Sequence, residues 1–352
     1  MPNAGFARPL GEDALKPRVK IAEFKLPTSY AGPTHITPAA HGAKELWFTE
    51  YDANAIGLIS TDGKIIEHQL GIRAPHPGAQ APQTPSLVIS SNARPIPMVT
   101  VPPDGNSAYG ITVGPDNNVW FTDTNNGANE IGRIAGNRVD EYRVSTQCCL
   151  QDILTGPDKA LWFPISNTQY DPSTNYLGRI TTAGKVHAYA LSYDSGPANM
   201  TVGPDKLLWF TEYTGNKIGK ASTSGKVERE YTLPQPSEYP SDITSGPDGA
   251  LWFTEWVGNK IGRITTAGKI TEFKVPTAQC APSGIVVGPD KALWFTEASG
   301  NKIGRITTKG AISEYPIPTS KSEPFFIVLG PDHNLWFTEY HRSKIGRVTV
   351  IK

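Results

Sequence analysis

The chain has 352 residues, of which 34 are glycine and 31 are proline, together about 18%. Charged residues make up 19%, and 33 basic side chains balance 33 acidic ones, so the formal net charge is zero. These values exclude a disordered tail, a collagen and a coiled coil, and they argue against a nucleic-acid partner because phosphate binding requires clustered Lys and Arg.

Residues 1–18 are predicted to be an N-terminal extension without the apolar stretch of a secretory signal, which favours a cytoplasmic protein. No segment approaches 18 consecutive apolar residues, so we expect no contact with a membrane. The three cysteines, Cys148, Cys149 and Cys280, include no CxxC pair and are too few for a disulfide framework. They predict reduced thiols.

From Val19 onward the chain repeats one unit seven times. The motif (L/V)-W-F is centred on Trp47, Trp120, Trp162, Trp209, Trp252, Trp294 and Trp336, and after the first interval the spacing is 42 to 47 residues. Each unit contains four short alternating runs separated by G-P-D, Gly/Asn and T-x-G-K turns. A period of about 42 residues with four strands is typical of a propeller blade. The sequence therefore predicts an all-β, seven-bladed β-propeller of four antiparallel strands per blade, forming one domain over residues 19–352.

The two ends of the repeat array complement each other. The seventh unit ends at Val350 without a fourth strand, whereas the run from Val19 to Pro27 matches the fourth-strand run from Lys269 to Pro276. We therefore expect the N-terminal strand to complete the last blade, which pairs two otherwise open edges.

Insertions predict which face of the ring carries function. The longest, residues 71–106, falls in the first blade-to-blade connection, and a second, residues 166–176, falls in a second-to-third turn. These two kinds of connection share one face, and long loops in compact domains usually cover or bind ligands. We expect the ligand on this face, over the central channel.

Two rings of residues are predicted to meet at that face. Six of the seven positions that follow the second strand are carboxylates, including Glu255, Glu297 and Glu339, and aromatic residues stand next to several of them. The other ring precedes the first strand and includes a histidine, His35. The candidate substrate-binding residues are Tyr109, Tyr213, Trp256, Phe325, Phe326, Tyr340, Glu255 and Glu297. An aromatic mouth suits a bulky, apolar small molecule, which it would hold by stacking and burial.

The repeat text, G-P-D-x-x-L-W-F-T-E, G-N-K-I-G-R-I-T and I-T-E-F-K-V-P-T, closely resembles the virginiamycin B lyase (streptogramin lyase) family from about Val19 to Lys352. The resemblance implies an enzyme that opens a cyclic depsipeptide by elimination. In that family Mg²⁺ polarises the ester and a histidine removes the proton next to the carbonyl, which is consistent with metal-assisted general-base chemistry.

The sequence departs from the family at its key residues. The family's E-P-H-G-I run reads Glu323-Pro324-Phe325-Phe326-Ile327 here, so Phe325 stands where the catalytic histidine is expected. The second family histidine falls on Ser283, and the first-blade tyrosine falls on Thr34. The resemblance retains two carboxylates, Glu323 and Glu339, as possible Mg²⁺ ligands; no organic cofactor is implied. Because phenylalanine cannot accept a proton, the candidate catalytic residues are Glu323, Glu339 and His35.

Three hypotheses remain open at this point. The first is a lyase with a rearranged base that opens a cyclic ester of a natural product. The second is a cyclase or isomerase of secondary metabolism that works by shape. The third is a non-catalytic propeller that binds a ligand or protein. We expect a monomer, with a small-molecule substrate as its partner.

Overall fold

The computed structural model describes residues 16–40, 42–70, 107–124, 129–136, 138–144, 149–166 and 175–351. The predicted insertion at 71–106, most of the predicted extension at 1–18 and most of the insertion at 166–176 lie outside the described residues.

Within the described residues, 28 strands form seven antiparallel sheets of four strands. Blade 1 contains β2 (Pro33–Pro38), β3 (Glu45–Glu50), β4 (Ala55–Ser60) and β5 (Ile65–Gln69). Blade 2 contains β6 (Ser107–Val113), β7 (Val119–Thr124), β8 (Asn129–Ala135) and β9 (Arg138–Val144). Blade 3 contains β10 (Leu154–Thr155), β11 (Leu161–Ile165), β12 (Tyr176–Ile180) and β13 (Val186–Ala190).

Blade 4 contains β14 (Pro197–Val202), β15 (Leu208–Glu212), β16 (Lys217–Ala221) and β17 (Val227–Thr232). Blade 5 contains β18 (Pro240–Ser245), β19 (Ala250–Glu255), β20 (Lys260–Thr265) and β21 (Ile270–Lys274). Blade 6 contains β22 (Pro282–Val287), β23 (Leu293–Glu297), β24 (Lys302–Ile306) and β25 (Ile312–Pro316). Blade 7 contains β26 (Pro324–Leu329), β27 (Leu335–Glu339), β28 (Lys344–Ile351) and β1 (Arg18–Lys25), with a short 3₁₀ helix at Tyr340–Arg342.

This architecture confirms the seven-bladed propeller and the closure by the N-terminal strand. Strand β1 pairs with β28 over its whole length, with Ile21 opposite Val348. The Phe24 ring stacks on Trp336 of the same blade, with centroids 5.5 Å apart. The ring is thus closed by residues from both ends of the chain.

The repeated motif residues build the interior of each blade. Six of the seven motif tryptophans are fully buried, and each donates its indole N–H, over 2.9 to 3.0 Å, to the aspartate of the preceding G-P-D turn. The phenylalanine that follows packs on the glycine of the K-I-G-R strand. In blade 6, for example, a Cβ on Gly304 would overlap the Phe295 ring, so the glycine is required by close approach.

The threonine of the L-W-F-T motif links each blade to the next. Its hydroxyl accepts a backbone N–H of its own first strand and donates to a carbonyl of the following blade. In blade 5, Thr254 accepts from the N–H of Asp242 at 3.0 Å and donates to the Ser283 carbonyl at 2.6 Å. The same pair of bonds recurs at Thr49, Thr122, Thr211, Thr296 and Thr338. Pro164 occupies this position in blade 3. These bonds fix the first strands around the central channel.

Two further expectations can be compared with the structure. Among the described residues, no helix is long and apolar enough to cross a membrane. Cys149 is disulfide-bonded, so the prediction of a reduced thiol is wrong there, whereas Cys280 is free and buried.

Candidate functional site

A cavity of about 280 Å³ opens at the face that the insertions predicted. Its wall comes from residues that begin the first strands of blades 2 to 7 or follow the second strands of blades 3, 4 and 5. It is lined by Tyr109, Gln151, Ser166, Gly196, Pro197, Ala198, Asn199, Tyr213, Ser241, Asp242, Trp256, Ser283, Gly284, Phe325 and Phe326. The two predicted rings therefore do meet at one mouth.

The aromatic residues predicted for the mouth are mostly brought together. Tyr109, Tyr213, Trp256, Phe325 and Phe326 all line the cavity. Tyr340 is not part of this wall. Its hydroxyl donates to the Asp52 carboxylate at 3.2 Å.

The carboxylates of the second-strand ring lie inside the blades instead. Glu255, Glu297 and Glu339 have no exposed surface and are not part of the cavity wall. Burial raises the pKa of Glu255 to about 9, where the Lys260 ammonium lies 3.7 Å away, and raises the pKa of Glu297 and Glu339 to about 8. Alternate residues of a strand point to opposite sides, so these side chains pack under the second-to-third turns.

The surroundings of Glu339 fit Mg²⁺ poorly. Mg²⁺ takes near-octahedral oxygen ligands and retains several waters, and the carboxyl of Glu339, which has no exposed surface, leaves little room for them. The carboxyl of Glu339 is surrounded by Glu23, Lys344 and Ser322, whereas that of Glu323 contacts His341 Nδ1 at 2.5 Å. Among the described residues, no three His, Cys, Asp or Glu side chains come together as a potential cation site.

His35 lies directly behind the aromatic wall. It is 1% exposed, and its ring centroid is 4.2 Å from that of Phe326 and 4.7 Å from that of Tyr109. Burial lowers the pKa of His35 to about 3, so the imidazole is neutral near pH 7. A group that binds protons this weakly is a poor general base at neutral pH.

The structure adds two carboxylates that the sequence analysis did not select. Asp152 lies just before the first strand of blade 3 and Asp242 lies in the first strand of blade 5, and they are 8% and 5% exposed. Burial raises the pKa of Asp152 to about 8, with a further contribution from the charge of Asp242, and raises that of Asp242 to about 7. The sequence signal was their position in the non-repeating ring, where the other blades carry His, Gly, Asn or Phe.

Comparison with known proteins places this geometry in a family. The model of the virginiamycin B lyase family matches residues 95–352. The chain belongs to the virginiamycin B lyase family.

Solved structures extend the likeness to the whole ring. A streptogramin B lyase structure is 34% identical, with a TM-score of 0.76 over 95% of this chain and 98% of that one. A catalytically inactive histidine-to-alanine variant of virginiamycin B lyase from Staphylococcus aureus, solved with quinupristin, is 37% identical, with a TM-score of 0.77 over 95% of this chain and 100% of that one. The WD40 propeller domain of Doa1 shares the fold at 7% identity and a TM-score of 0.68. No curated protein sequence matches the chain.

The positions of the missing family residues can now be placed in the virginiamycin B lyase fold. Phe325 and Ser283, which stand where the resemblance puts the two histidines, both line the cavity. Thr34, at the expected tyrosine, is 3% exposed and hydrogen-bonds to Thr49 at 2.8 Å. The cavity therefore includes both positions at which the resemblance places histidines.

Proposed function

We propose that this protein is a lyase that binds a bulky, largely apolar cyclic ester of a natural product and opens its ring by elimination. One observation carries the proposal. The cavity contains both positions at which the family resemblance places histidines, Phe325 and Ser283, and four further aromatic side chains line it with them.

The chemistry of the wall supports an apolar ligand. Among the described residues, no Lys or Arg lines the cavity, and the polar lining groups are neutral ones such as Asn199 and Ser241, together with the carboxyl of Asp242. Aromatic faces give large burial with little loss of side-chain entropy. A cyclic peptide ester with aromatic substituents would match this surface better than a sugar or a nucleotide.

The proposal is tested with a streptogramin B antibiotic such as quinupristin. The purified protein is incubated with it, with and without Mg²⁺, and the reaction is followed by mass spectrometry and ultraviolet absorbance. Elimination leaves the mass of the substrate unchanged but forms a new conjugated double bond, whereas hydrolysis would add one water. Absence of a ring-opened product under both conditions would contradict the proposal.

Trp256→Ala is expected to weaken quinupristin binding by about 30-fold to 100-fold, because a truncated interface tryptophan commonly costs about 2 to 3 kcal/mol. Fluorescence titration or calorimetry measures the change. Val257→Ala is the matched control, since Val257 is the next residue and is 58% exposed outside the cavity wall. Equal affinities of the two variants would show that the ligand does not use this wall.

A shape-driven cyclase or isomerase is the second candidate, favoured by the phenylalanine at the family's base position. Phe325→His separates the two. If the cavity orients a cyclic ester as a lyase does, the substitution is expected to raise the elimination rate about tenfold or more, since a positioned base contributes at least that much. A rate that falls with the loss of apolar wall would favour the second candidate. Phe326→His, one residue away, controls for a histidine placed elsewhere on the same wall.

A further inference from the structure

Resting on the proposed function, we infer that Asp242 is the general base of the elimination. This assigns the proton-transfer step to a residue of blade 5 rather than to the blade-7 position of the missing histidine.

Asp242 is the carboxyl group that the described residues contribute to the cavity wall. It is 5% exposed and lines the cavity beside Ser241 and Ser283. Its Oδ1 accepts the backbone N–H of Ile243 at 2.8 Å, and its Oδ2 accepts that of Ile285 in the next blade at 2.7 Å. Each carboxylate oxygen has a second lone pair, so the held carboxylate retains acceptor capacity toward a ligand.

Four titratable side chains of the described residues lie on or behind the cavity wall here. They are His35 from β2, Tyr109 from β6, Asp152 from the segment before β10 and Asp242 from β18. Burial, followed by the charge of Asp242, raises the pKa of Asp152 above that of its neighbour. Between the two values Asp152 keeps its proton while Asp242 is ionised, as expected for carboxyl groups that share a site.

The proposed step is balanced without a further reactant. The Asp242 carboxylate takes the proton on the carbon next to the substrate carbonyl. The electron pair of that C–H bond forms the new carbon–carbon double bond, and the adjacent C–O bond of the ester breaks with loss of a carboxylate. The proton on Asp242 then returns to solvent. A base whose pKa lies near the working pH is well matched to this task.

The structural alternative is that Asp242 only joins blades 5 and 6. The test therefore compares Asp242→Asn, Asp152→Asn and the unaltered protein, each with quinupristin, and records kcat, KM, the pH profile and the melting temperature. Asp62→Asn, in an exposed turn on the opposite face, is the control. We expect Asp242→Asn to lower kcat at least 100-fold with KM within threefold.

The unaltered protein should gain activity as pH rises through about 7, because Asp242 must be ionised before it can accept a proton. Asp152→Asn removes a neighbouring acid whose pKa the charge of Asp242 raises, and it should still show this rise in activity near pH 7. A purely structural contact would not produce this pH dependence.

Product formation by Asp242→Asn at an unchanged rate would overturn the assignment of Asp242 as the base but would leave the proposed function standing. A loss of kcat accompanied by an equal loss of quinupristin binding and a melting temperature lowered by more than about 10 °C would also overturn it, in favour of the blade link. Absence of product from the unaltered protein would instead overturn the proposed function, and this role with it.

Discussion

Removal of residues 1–26 is expected to abolish the cooperative unfolding of the ring. Strand β1 supplies the outer strand of blade 7, and Leu26, just after it, is 1% exposed in the core shared by blades 7 and 1. Burial of a large apolar side chain contributes about 1.5 to 3 kcal/mol, so losing Ile21, Phe24 and Leu26 together costs about 5 kcal/mol or more. That is comparable to the whole stability of many domains. Urea unfolding followed by circular dichroism measures the effect.

Phe24→Ala tests the same contact with a single substitution. It removes the ring that stacks on Trp336 and is expected to cost about 3 kcal/mol. Lys25→Ala, at the exposed end of the strand, is the control and should change the midpoint little. If the truncated protein kept the original urea midpoint, closure by β1 would not be what stabilises the ring.

Glu50→Gln is expected to raise the free energy of unfolding by about 3 kcal/mol at pH 7 and to have little effect at pH 4.5. Glu50 has no exposed surface, and burial, followed by the charge of Glu67, raises its pKa to about 9. The folded state therefore holds a proton that the unfolded chain has already released above its ordinary pKa of about 4.5. Stability falls as pH rises from that value towards 9, and glutamine, which cannot ionise, removes this fall.

The matched control is Glu212→Gln, the same position in blade 4. There Lys217 stands where blade 1 has Ala55, and its charge partly offsets the rise in the pKa of Glu212, which is about 8. The two gains should therefore be nearly equal at pH 7, because both folded-state pKa values lie above 7, and the gain should level off near pH 8 for Glu212→Gln but near pH 9 for Glu50→Gln. Thermal melts from pH 4.5 to 9 provide the measurement. Parallel pH curves for the unaltered protein and Glu50→Gln would mean that Glu50 is ionised in the folded state.

The position of the site was largely predictable from the repeat pattern. Once Trp252 and its counterparts fix where each blade begins, the turns that share a face follow from the alternation of antiparallel strands. Tyr213, Trp256 and Phe325 were placed at the mouth for this reason, and all three line the cavity. Residues that differ between blades proved more informative about the cavity than residues that repeat.

Side-chain direction at the ends of strands was harder to predict. Thr254 and Glu255 are adjacent, yet the threonine bonds to the next blade while the glutamate packs inside its own. Side chains alternate along a strand, so a shift of one residue decides whether a side chain points to the next blade or into its own. The irregular pairing between β18 and β19 lies at the same end, and such a bulge changes which residue faces the channel.

By itself, the sequence determined the number of blades, the closure by β1 and the lyase family, because all three depend on spacing and on repeated local text. The tertiary structure alone decided that Glu339 is enclosed in its blade, that Asp242 reaches the cavity wall and that Asp152 lies beside His35. The physical reason is that burial and the charges of neighbours set the protonation of these groups. Those neighbours come from other blades: the N–H that holds Asp242 Oδ2 belongs to Ile285, 43 residues further along the chain.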